Sequence, residues 1–334
     1  MIRKTIWLFI LLISSVVLFS FNREKKFQKS VNTLIIDPGH GGSDQGARGD
    51  YSTEAMICLQ IGLKLGKMIE KEIPDVKVLY TRTTDIIPGN KSNMSDGLRY
   101  RADFANQSGA DLFISIHCNS APKIRHRERN GYRTVKRKGK SVRVPNYRTY
   151  YTPNPAYGTE TYVWAAHESD HKGDMINANA EEIFGESDST LVVPDENDPV
   201  MKALKLIYQK KYFQNSVKLA ELVEQEFVNQ GRFSRGVKQR NHKGIWVLHA
   251  TGMPSVLVET GFLSNKEEEA YLNSEKGQME ICTNITAAIK NYISWLEKLK
   301  NGNNTTNGGN NETGRKEIKS EAALTRSTSQ KPGK

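Results

Sequence analysis

The sequence contains little cysteine. Among its 334 residues there are three cysteines, Cys58, Cys118 and Cys282, and no two of them have the C-x-x-C spacing of a redox or metal motif. An odd number of widely separated cysteines excludes a complete disulfide framework, so buried thiols are the simplest interpretation. The fold therefore depends on an ordinary hydrophobic core, which a chain with 37% hydrophobic residues is long enough to form.

Long apolar runs are also scarce, and the clearest one lies at the N-terminus. Arg3 and Lys4 precede an uncharged run from Thr5 to Phe21, which is typical of a secretion signal. The run is close to the lower length limit for a membrane span, and small residues at the usual cleavage spacing are few. Residues 1–30 are therefore predicted to be a signal peptide or a signal anchor of an exported protein.

Acidic residues are outnumbered, with 37 Asp and Glu against 48 Lys and Arg, a formal charge of +11. Nearly all of the excess lies in residues 121–157, which contain eleven Lys or Arg residues and one acid, Glu128. A second segment, residues 165–198, is acidic, because positions 181–198 hold seven Asp or Glu residues and no Lys or Arg. Both segments are interpreted as insertions. Residues 301–334 have too few apolar side chains to offset the entropy of ordering, which predicts a disordered tail.

Between residues 31 and 300, short β-rich runs alternate with helical patterns. This alternation predicts one α/β domain with a twisted, mostly parallel sheet of six strands, flanked by helices. The predicted strands span residues 31–36, 76–80, 111–117, 160–164, 244–249 and 255–259. The predicted helices span residues 53–72, 96–108, 198–229 and 275–299, where apolar residues recur at helical spacing.

A glycine-rich loop follows the first predicted strand, in the stretch LIIDPGHGGSDQGARGD from Leu34 to Asp50. The loop lacks the G-x-G-x-x-G spacing of a dinucleotide site, because Asp44 occupies the third position, and no Gly-Lys-Ser/Thr follows as in a phosphate-binding loop. It offers His40 instead. In open α/β sheets the ligand crevice lies at the carboxyl ends of the strands, where His40 is placed.

Three further metal-capable side chains are predicted near the same edge. Glu54 begins the next helix, His117 ends the strand DLFISIH, and Glu259 ends the strand SVLVE. Two imidazoles and one carboxylate leave a tetrahedral zinc ion with an open position, as in hydrolytic sites, and a fourth group is then available to move protons. Each residue also has a structural interpretation: a turn histidine, a hydrogen-bonded strand-end histidine and a first-turn acid favoured by the helix dipole. Glu259 is harder to explain in this way, because an unpaired charge in its apolar setting is costly.

The motifs IIDPGHGG, LYTRTTD, RADFAN, DLFISIHCNS and MPSVLVETGFLSN, together with Glu54, resemble the zinc-dependent N-acetylmuramoyl-L-alanine amidases of bacterial cell-wall turnover, the type 3 amidase family. The resemblance covers about residues 32–119 and 158–297, and both insertions lie outside it. It implies an α/β fold, with one zinc ion per chain held by His40, Glu54 and His117, and Glu259 as the catalytic carboxylate. Cys118 departs from the family pattern, in which alanine usually follows the histidine. A thiol there could oxidise or compete for zinc, although a small buried residue is the simpler interpretation.

The implied reaction is hydrolysis of the amide bond between N-acetylmuramic acid and L-alanine in peptidoglycan, in the periplasm or cell envelope. Arg82, Arg101, Asn106 and Asn119 also lie in matching motifs, where they are expected either to contact the substrate and orient the ligands or to serve structure. For the arginines the structural alternative is an ion pair with an acid such as Asp85 or Asp103, and this is the favoured interpretation.

The two charged insertions are predicted to bind partners or to regulate the site, not to take part in catalysis. Residues 121–157 are expected to be a flexible arm that binds an anionic envelope surface or an activator protein, and no nucleic-acid partner is expected for an exported monomer. In the acidic insertion, Glu181 or Glu182 could block the open metal position. Two rival functions remain: a catalytically silent peptidoglycan-binding or scaffolding relative, and a zinc carboxypeptidase or deacetylase acting on the same polymer.

Overall fold

The computed structural model describes residues 30–164, 199–239 and 246–305. The predicted signal segment, the acidic insertion with Glu181 and Glu182, residues 240–245 and the tail from residue 306 lie outside the described residues. The chain divides into two units, Met1–Ser30 and Val31–Lys334, and all the elements below belong to the second. Within the described ranges, no helix combines the length and apolar character needed to cross a membrane.

A six-stranded sheet forms the centre of the domain. Its strands, in chain order, are β1 (Thr33–Pro38), β2 (Lys77–Tyr80), β3 (Leu112–Asn119), β6 (Thr159–Val163), β7 (Ser234–Gln239) and β8 (Ser255–Phe262), and their spatial order is β2-β1-β3-β8-β6-β7. All neighbouring strands are parallel except β6 and β8, which are antiparallel. The predicted fold class, a mostly parallel six-stranded α/β sheet, is therefore confirmed.

The sheet is flanked by helices that agree closely with the periodic segments. In chain order they are α1 (Glu54–Glu72), α2 (Met94–Gln107), α3 (Pro199–Asn229), α4 (Trp246–Ala250), α5 (Lys266–Asn273) and α6 (Glu275–Thr305). The four predicted helices correspond to α1, α2, α3 and α6. Helix α6 continues to Thr305, so the tail predicted to be disordered from residue 301 begins with the end of this helix.

Five of the six predicted strands are confirmed within a few residues, and one is wrong. The strand expected at residues 244–249 is replaced by the short helix α4, and the sixth strand of the sheet is β7. Val247, Leu248 and Ala250 are all buried. Val247 and Leu248 pack into the same core, whereas consecutive residues of a strand point to opposite faces of a sheet. Strand β7 was not predicted because its sequence, SRGVKQ, does not alternate between apolar and polar residues, as is possible for a strand at the edge of a sheet.

Alternating side chains of the strands enter two hydrophobic cores. Leu34, Ile114 and Val258 face the layer of α1, α3 and α6, whereas Ile35, Phe113 and Leu257 face the layer of α2 and α4. Continuous apolar runs such as LII and LFISI are expected for strands that are covered on both faces. This double cover fixes which way each residue at the strand ends points, and so positions the site.

The basic insertion forms a long two-stranded antiparallel ribbon, whereas no secondary structure was predicted for it from the sequence. Strand β4 (Ile124–Arg137) pairs with β5 (Lys140–Thr152), and we call the pair the basic ribbon. At its base the side chain of Asn154 donates to the carbonyl of Pro122, at 3.1 Å, and the amide of Ala121 donates to Ser264. The two strands were not predicted because charged side chains occupy both of them and leave no apolar face to indicate a sheet.

Candidate metal centre

The glycine loop after β1 places His40 at the carboxyl edge of the sheet. His40 itself has a φ of 57°, in the left-handed region, and Gly41 and Gly42 follow with φ values of 127° and 60°. Gly39 is needed for space, because a Cβ there would lie 2.5–2.7 Å from ring atoms of His117. The glycines therefore let the chain turn sharply and bring the two imidazole rings together, with ring centroids 4.9 Å apart.

Glu54 lies between the two histidines. One carboxylate oxygen, Oε1, is 3.1 Å from His40 Nε2 and 2.7 Å from His117 Nδ1, while Oε2 accepts a hydrogen bond from the amide of Ala47. The position follows from the fold, because Glu54 begins α1 directly after the glycine loop and His117 lies near the end of the neighbouring strand β3. Side chains from three separate elements thus converge at one point.

Asp44 fixes the orientation of the first histidine. Its Oδ2 lies 2.9 Å from His40 Nδ1, so a proton on Nδ1 leaves the Nε2 lone pair directed at the centre. Burial alone would lower the pKa of His40, but the contacts with Glu54 and Asp44 outweigh it and raise the pKa. Burial likewise acts to raise the pKa of Glu54, yet hydrogen bonds and charges from His117 and His40 hold that pKa well below its usual range.

The donor set fits a zinc ion. One ligand atom from each of His40, Glu54 and His117 lies within 4.8 Å of the others. Ligands that are about 2.0–2.2 Å from a tetrahedral zinc ion lie roughly 3.3 Å apart, close to the separations found between Glu54 and the two imidazoles. Two imidazole nitrogens and a carboxylate oxygen are ligands that zinc commonly takes, and the carboxylate of Asp44 behind His40 is the usual outer support.

Glu259 lies beside this cluster on the next strand. It is paired in register with His117 across the parallel β3 and β8, so the two side chains leave the same face of the sheet. Glu259 is buried, with 9% of its surface exposed. On its other side it is paired with Glu160 of β6, which places a second carboxylate on the same face.

Glu160 was not predicted as a site residue. It is buried and accepts hydrogen bonds from Asn119, from the hydroxyl of Tyr162 at 2.7 Å, from Arg235 Nε at 3.0 Å and from Lys238. Burial acts to raise its pKa, but these donors lower it. Apart from Tyr162, its partners come from β3 and β7, so no local pattern in the sequence indicates the cluster.

The predicted acid partner of Arg101 is replaced by another. Arg101 forms a buried ion pair with Asp37, not with Asp103, and donates to the carbonyl of His40 at 2.6 Å. Asp37 is completely buried; burial acts to raise its pKa, but Arg101 and the hydroxyls of Thr81 and Ser115 hold the pKa below its usual value. The pair therefore lies directly beneath the histidine loop and supports it.

Arg82 supports the same loop through hydrogen bonds to main-chain carbonyls. Its guanidinium donates to the carbonyls of Gly39 and Ala55, both at 2.7 Å, and of Pro38 at 3.1 Å. Asp85, the predicted partner, instead accepts a hydrogen bond from the amide of Gly42. These contacts favour the structural interpretation of Arg82, since its donors are directed at main-chain groups on both sides of the site.

Asn106, Asn119 and Cys118 have different surroundings. Asn106 binds the carbonyl of Ala250 and the amide of Gly252, which secures the loop between α4 and β8. Asn119 contacts Glu160, next to the candidate site. Cys118 is buried on the opposite side of β3, with Sγ 3.5 Å from the hydroxyl of Thr260, and all three cysteines are buried thiols as expected.

A further buried acid supports the loop from another part of the chain. Glu269 of α5 is buried and accepts hydrogen bonds from the amides of Asp50, Tyr51 and Ser52, and from the Ser52 hydroxyl. These residues form the end of the loop that leads into Glu54. This contact could not be predicted from the sequence, because it joins segments more than 200 residues apart.

A cavity of about 230 Å³ opens beside the two histidines. Its walls include Asp44, Met94 and Val247 in addition to both rings. An apolar cleft with a few converging polar groups is the usual form of a small-molecule or cofactor site.

The fold and the candidate metal centre together are those expected of a hydrolase built on an open α/β sheet. The sequence model of the N-acetylmuramoyl-L-alanine amidases matches residues 34–291, and the chain belongs to this family.

Individual relatives agree with the family. The chain is 30% identical to the N-acetylmuramoyl-L-alanine amidase AmiC of Escherichia coli over 263 residues, which cover 78% of this chain and 52% of AmiC. It is 27% identical to AmiA of Escherichia coli over 270 residues, 80% of this chain and 78% of AmiA. The chain thus spans about half the length of AmiC.

Among solved structures, the CwlD amidase of Clostridioides difficile in complex with the GerS lipoprotein has the same fold. The TM-score is 0.50 at 24% identity, and the match covers 79% of this chain and 98% of CwlD.

Proposed function

We propose that this protein is a zinc-dependent amidase that cleaves the bond between N-acetylmuramic acid and L-alanine in peptidoglycan. The main support is the convergence of His40, Glu54 and His117 at the carboxyl edge of the sheet, in a chain of the amidase family. The reaction releases stem peptides from the glycan, and the polymer itself is the proposed partner.

The proposed ligands are His40 Nε2, the Glu54 carboxylate and His117 Nδ1, with one zinc ion per chain. Bound zinc would supply a Lewis acid that lowers the pKa of water and polarises the amide carbonyl. Asp44 would keep the His40 proton on Nδ1, and Arg82 and Arg101 would hold the loop that carries His40.

Glu259 is the proposed general base and acid. From its place beside His117, its carboxylate would take a proton from the attacking water and pass it to the departing amine of L-alanine, because an unprotonated amine leaves poorly. The Glu160 carboxylate would stay ionised, because it is paired with Arg235 and Lys238. Proton transfer would then be left to Glu259.

The test is to replace Glu259 by Gln and measure both zinc content and the products of peptidoglycan digestion. We expect zinc to be retained and cleavage to fall by about 10²–10⁴-fold, the usual contribution of a positioned acid or base. Thr283→Ala, on an exposed face of α6, serves as the control. Full activity in Glu259→Gln would refute the assignment, and wild-type products other than whole stem peptides would indicate a carboxypeptidase or deacetylase.

The wider setting is proposed from the sequence. We propose an exported, monomeric protein of the periplasm or cell envelope, with residues 1–30 as a signal peptide or anchor and residues 31–300 as the catalytic domain. The charged N-terminal flank and apolar run support export.

A further inference from the structure

The two faces of the basic ribbon differ in exposure. Five residues of its strands are partly covered, and register and alternation put them all on the same face: His126, Val135, Val144, Asn146 and Thr152. Every residue of the opposite face is exposed. The ribbon therefore presents one face fully to solvent.

The exposed face combines cations with tyrosines. It is formed by Arg125, Arg127, Arg129, Tyr132, Thr134 and Lys136 of β4, and by Ser141, Arg143, Pro145, Tyr147, Thr149 and Tyr151 of β5, and we call it the Arg–Tyr face. The bulge between Arg129 and Tyr132 adds one residue to β4, which keeps both of these side chains on this face. The face carries five cations and no acid, because Glu128 lies on the other face, opposite Arg148.

The arginines of this face are stacked on its tyrosines. The guanidinium of Arg127 lies 4.1 Å from the ring centre of Tyr147, and those of Arg129 and Arg143 lie 4.4 and 4.5 Å from that of Tyr132. A stacked guanidinium loses less freedom on binding and keeps its planar fork of donors, which matches a carboxylate or phosphate. Such stacking pre-organises the face for an anionic partner.

The ribbon is connected at both ends to strands that carry residues of the candidate site. Strand β3 carries His117 and Asn119 and runs into the ribbon, and the chain returns through β6, whose Glu160 is paired with Glu259. The ribbon therefore leaves the sheet at the same edge at which the candidate metal centre lies. Alternate strand residues lie about 6.8 Å apart, so Arg125, Arg127 and Arg129 form a row of cations along the ribbon.

We propose that the Arg–Tyr face is a docking surface for intact peptidoglycan, whose stem-peptide carboxylates pair with the arginine row. This choice of partner rests on the proposed function, because the ribbon leaves the sheet at the edge where that substrate would be cleaved. The ribbon binds uncut polymer, and the metal centre acts on it.

The experiment compares two triple variants of the full chain that lose the same charge from opposite faces. The first replaces Arg125, Arg127 and Arg129 by Gln, and the matched control replaces Arg133, Arg137 and Arg148 by Gln. Sedimentation with sacculi freed of phosphate-bearing polymers measures binding with the metal chelated, so the result does not depend on cleavage. Melting temperatures verify that both variants are folded.

We expect the first variant to bind sacculi about tenfold more weakly, and the control to bind like the wild type. The salt dependence of binding should also become shallower in the first variant only. In a second assay, the rate on sacculi divided by the rate on a soluble muropeptide should fall for the first variant and stay constant for the control.

Three results would overturn the proposal. Equal losses in both variants would show diffuse attraction by net charge, and no loss in either would show that the ribbon does not bind. Tighter binding of the wild type to anionic phospholipid vesicles or single-stranded DNA than to sacculi would assign the face to another partner. A wild type that binds through this face but does not cleave would refute the proposed function alone.

Discussion

The candidate metal centre and the basic ribbon differ in how they are held. At the centre, Glu54 and Asp37 are buried and engaged by several donors each, and the loop that carries His40 is fixed from below by two arginines. In the ribbon the two strands contact mainly each other, and most side chains are exposed. A buried polar group requires a specific partner, whereas an exposed cation tolerates many. The centre is thus constrained by its neighbours, whereas the exposed side chains of the ribbon have few structural constraints.

The largest effect is expected when a buried charge beside the candidate metal centre loses its ion-pair partner. Replacing Arg101 by Met leaves Asp37 without its ion pair, and removing one partner of a buried pair typically costs about 3–5 kcal/mol in the free energy of unfolding. Because the pKa of Asp37 is held low in the folded state, the pair stabilises at neutral pH, and its contribution declines in acid as Asp37 is protonated. Urea unfolding at pH 7 and in acid measures the difference.

The matched control is Arg99→Met, which removes an exposed arginine from the same helix. It should change the free energy of unfolding by less than about 0.5 kcal/mol. Equal effects of the two substitutions would mean that the centre does not depend on the Asp37 pair.

A smaller change tests the support behind the first ligand. Asp44→Asn keeps the side-chain shape but removes the charge 2.9 Å from His40 Nδ1. Loss of such an outer partner typically weakens metal binding by about 10–100-fold, which competition with a chelator would measure for zinc. Asp85→Asn is the control, because Asp85 holds the amide of Gly42 in the same loop without touching a histidine. Unchanged zinc affinity in Asp44→Asn would contradict the proposed role.

The smallest effect on stability is expected at the ribbon. Replacing residues 124–152 by a short Gly/Ser loop removes mostly exposed side chains, and the contacts at Asn154 and Ala121 stay. The free energy of unfolding should change by less than about 1 kcal/mol, with zinc content unaltered, while binding to sacculi falls. A large loss of stability or zinc would show that the ribbon is part of the structural core.

The same contrast explains what could be predicted from the sequence. The four long helices and five of the strands have apolar residues at regular spacing. The loop that carries His40 contains glycines at positions where the backbone conformation or the close contacts disfavour any other residue. Strand β7 and the ribbon lack an apolar face, so no pattern indicated them. Asp37, Asp44 and Glu160 were missed because an acid is recognised as a support only once its donors, which come from other elements, are known.

The position of β8 has a consequence for the synthesis of the protein. This strand is the last of the sheet to be made, yet it is inserted between β3 and β6, and it carries Glu259. A nascent chain that ends just before β8 contains the strands on both sides of it, β2-β1-β3 and β6-β7, but lacks the strand that joins them. Such late, non-local pairing is slow to form. The candidate site therefore receives Glu259 only after the rest of the sheet has been synthesised, so a chain that stops before this strand lacks the proposed general base.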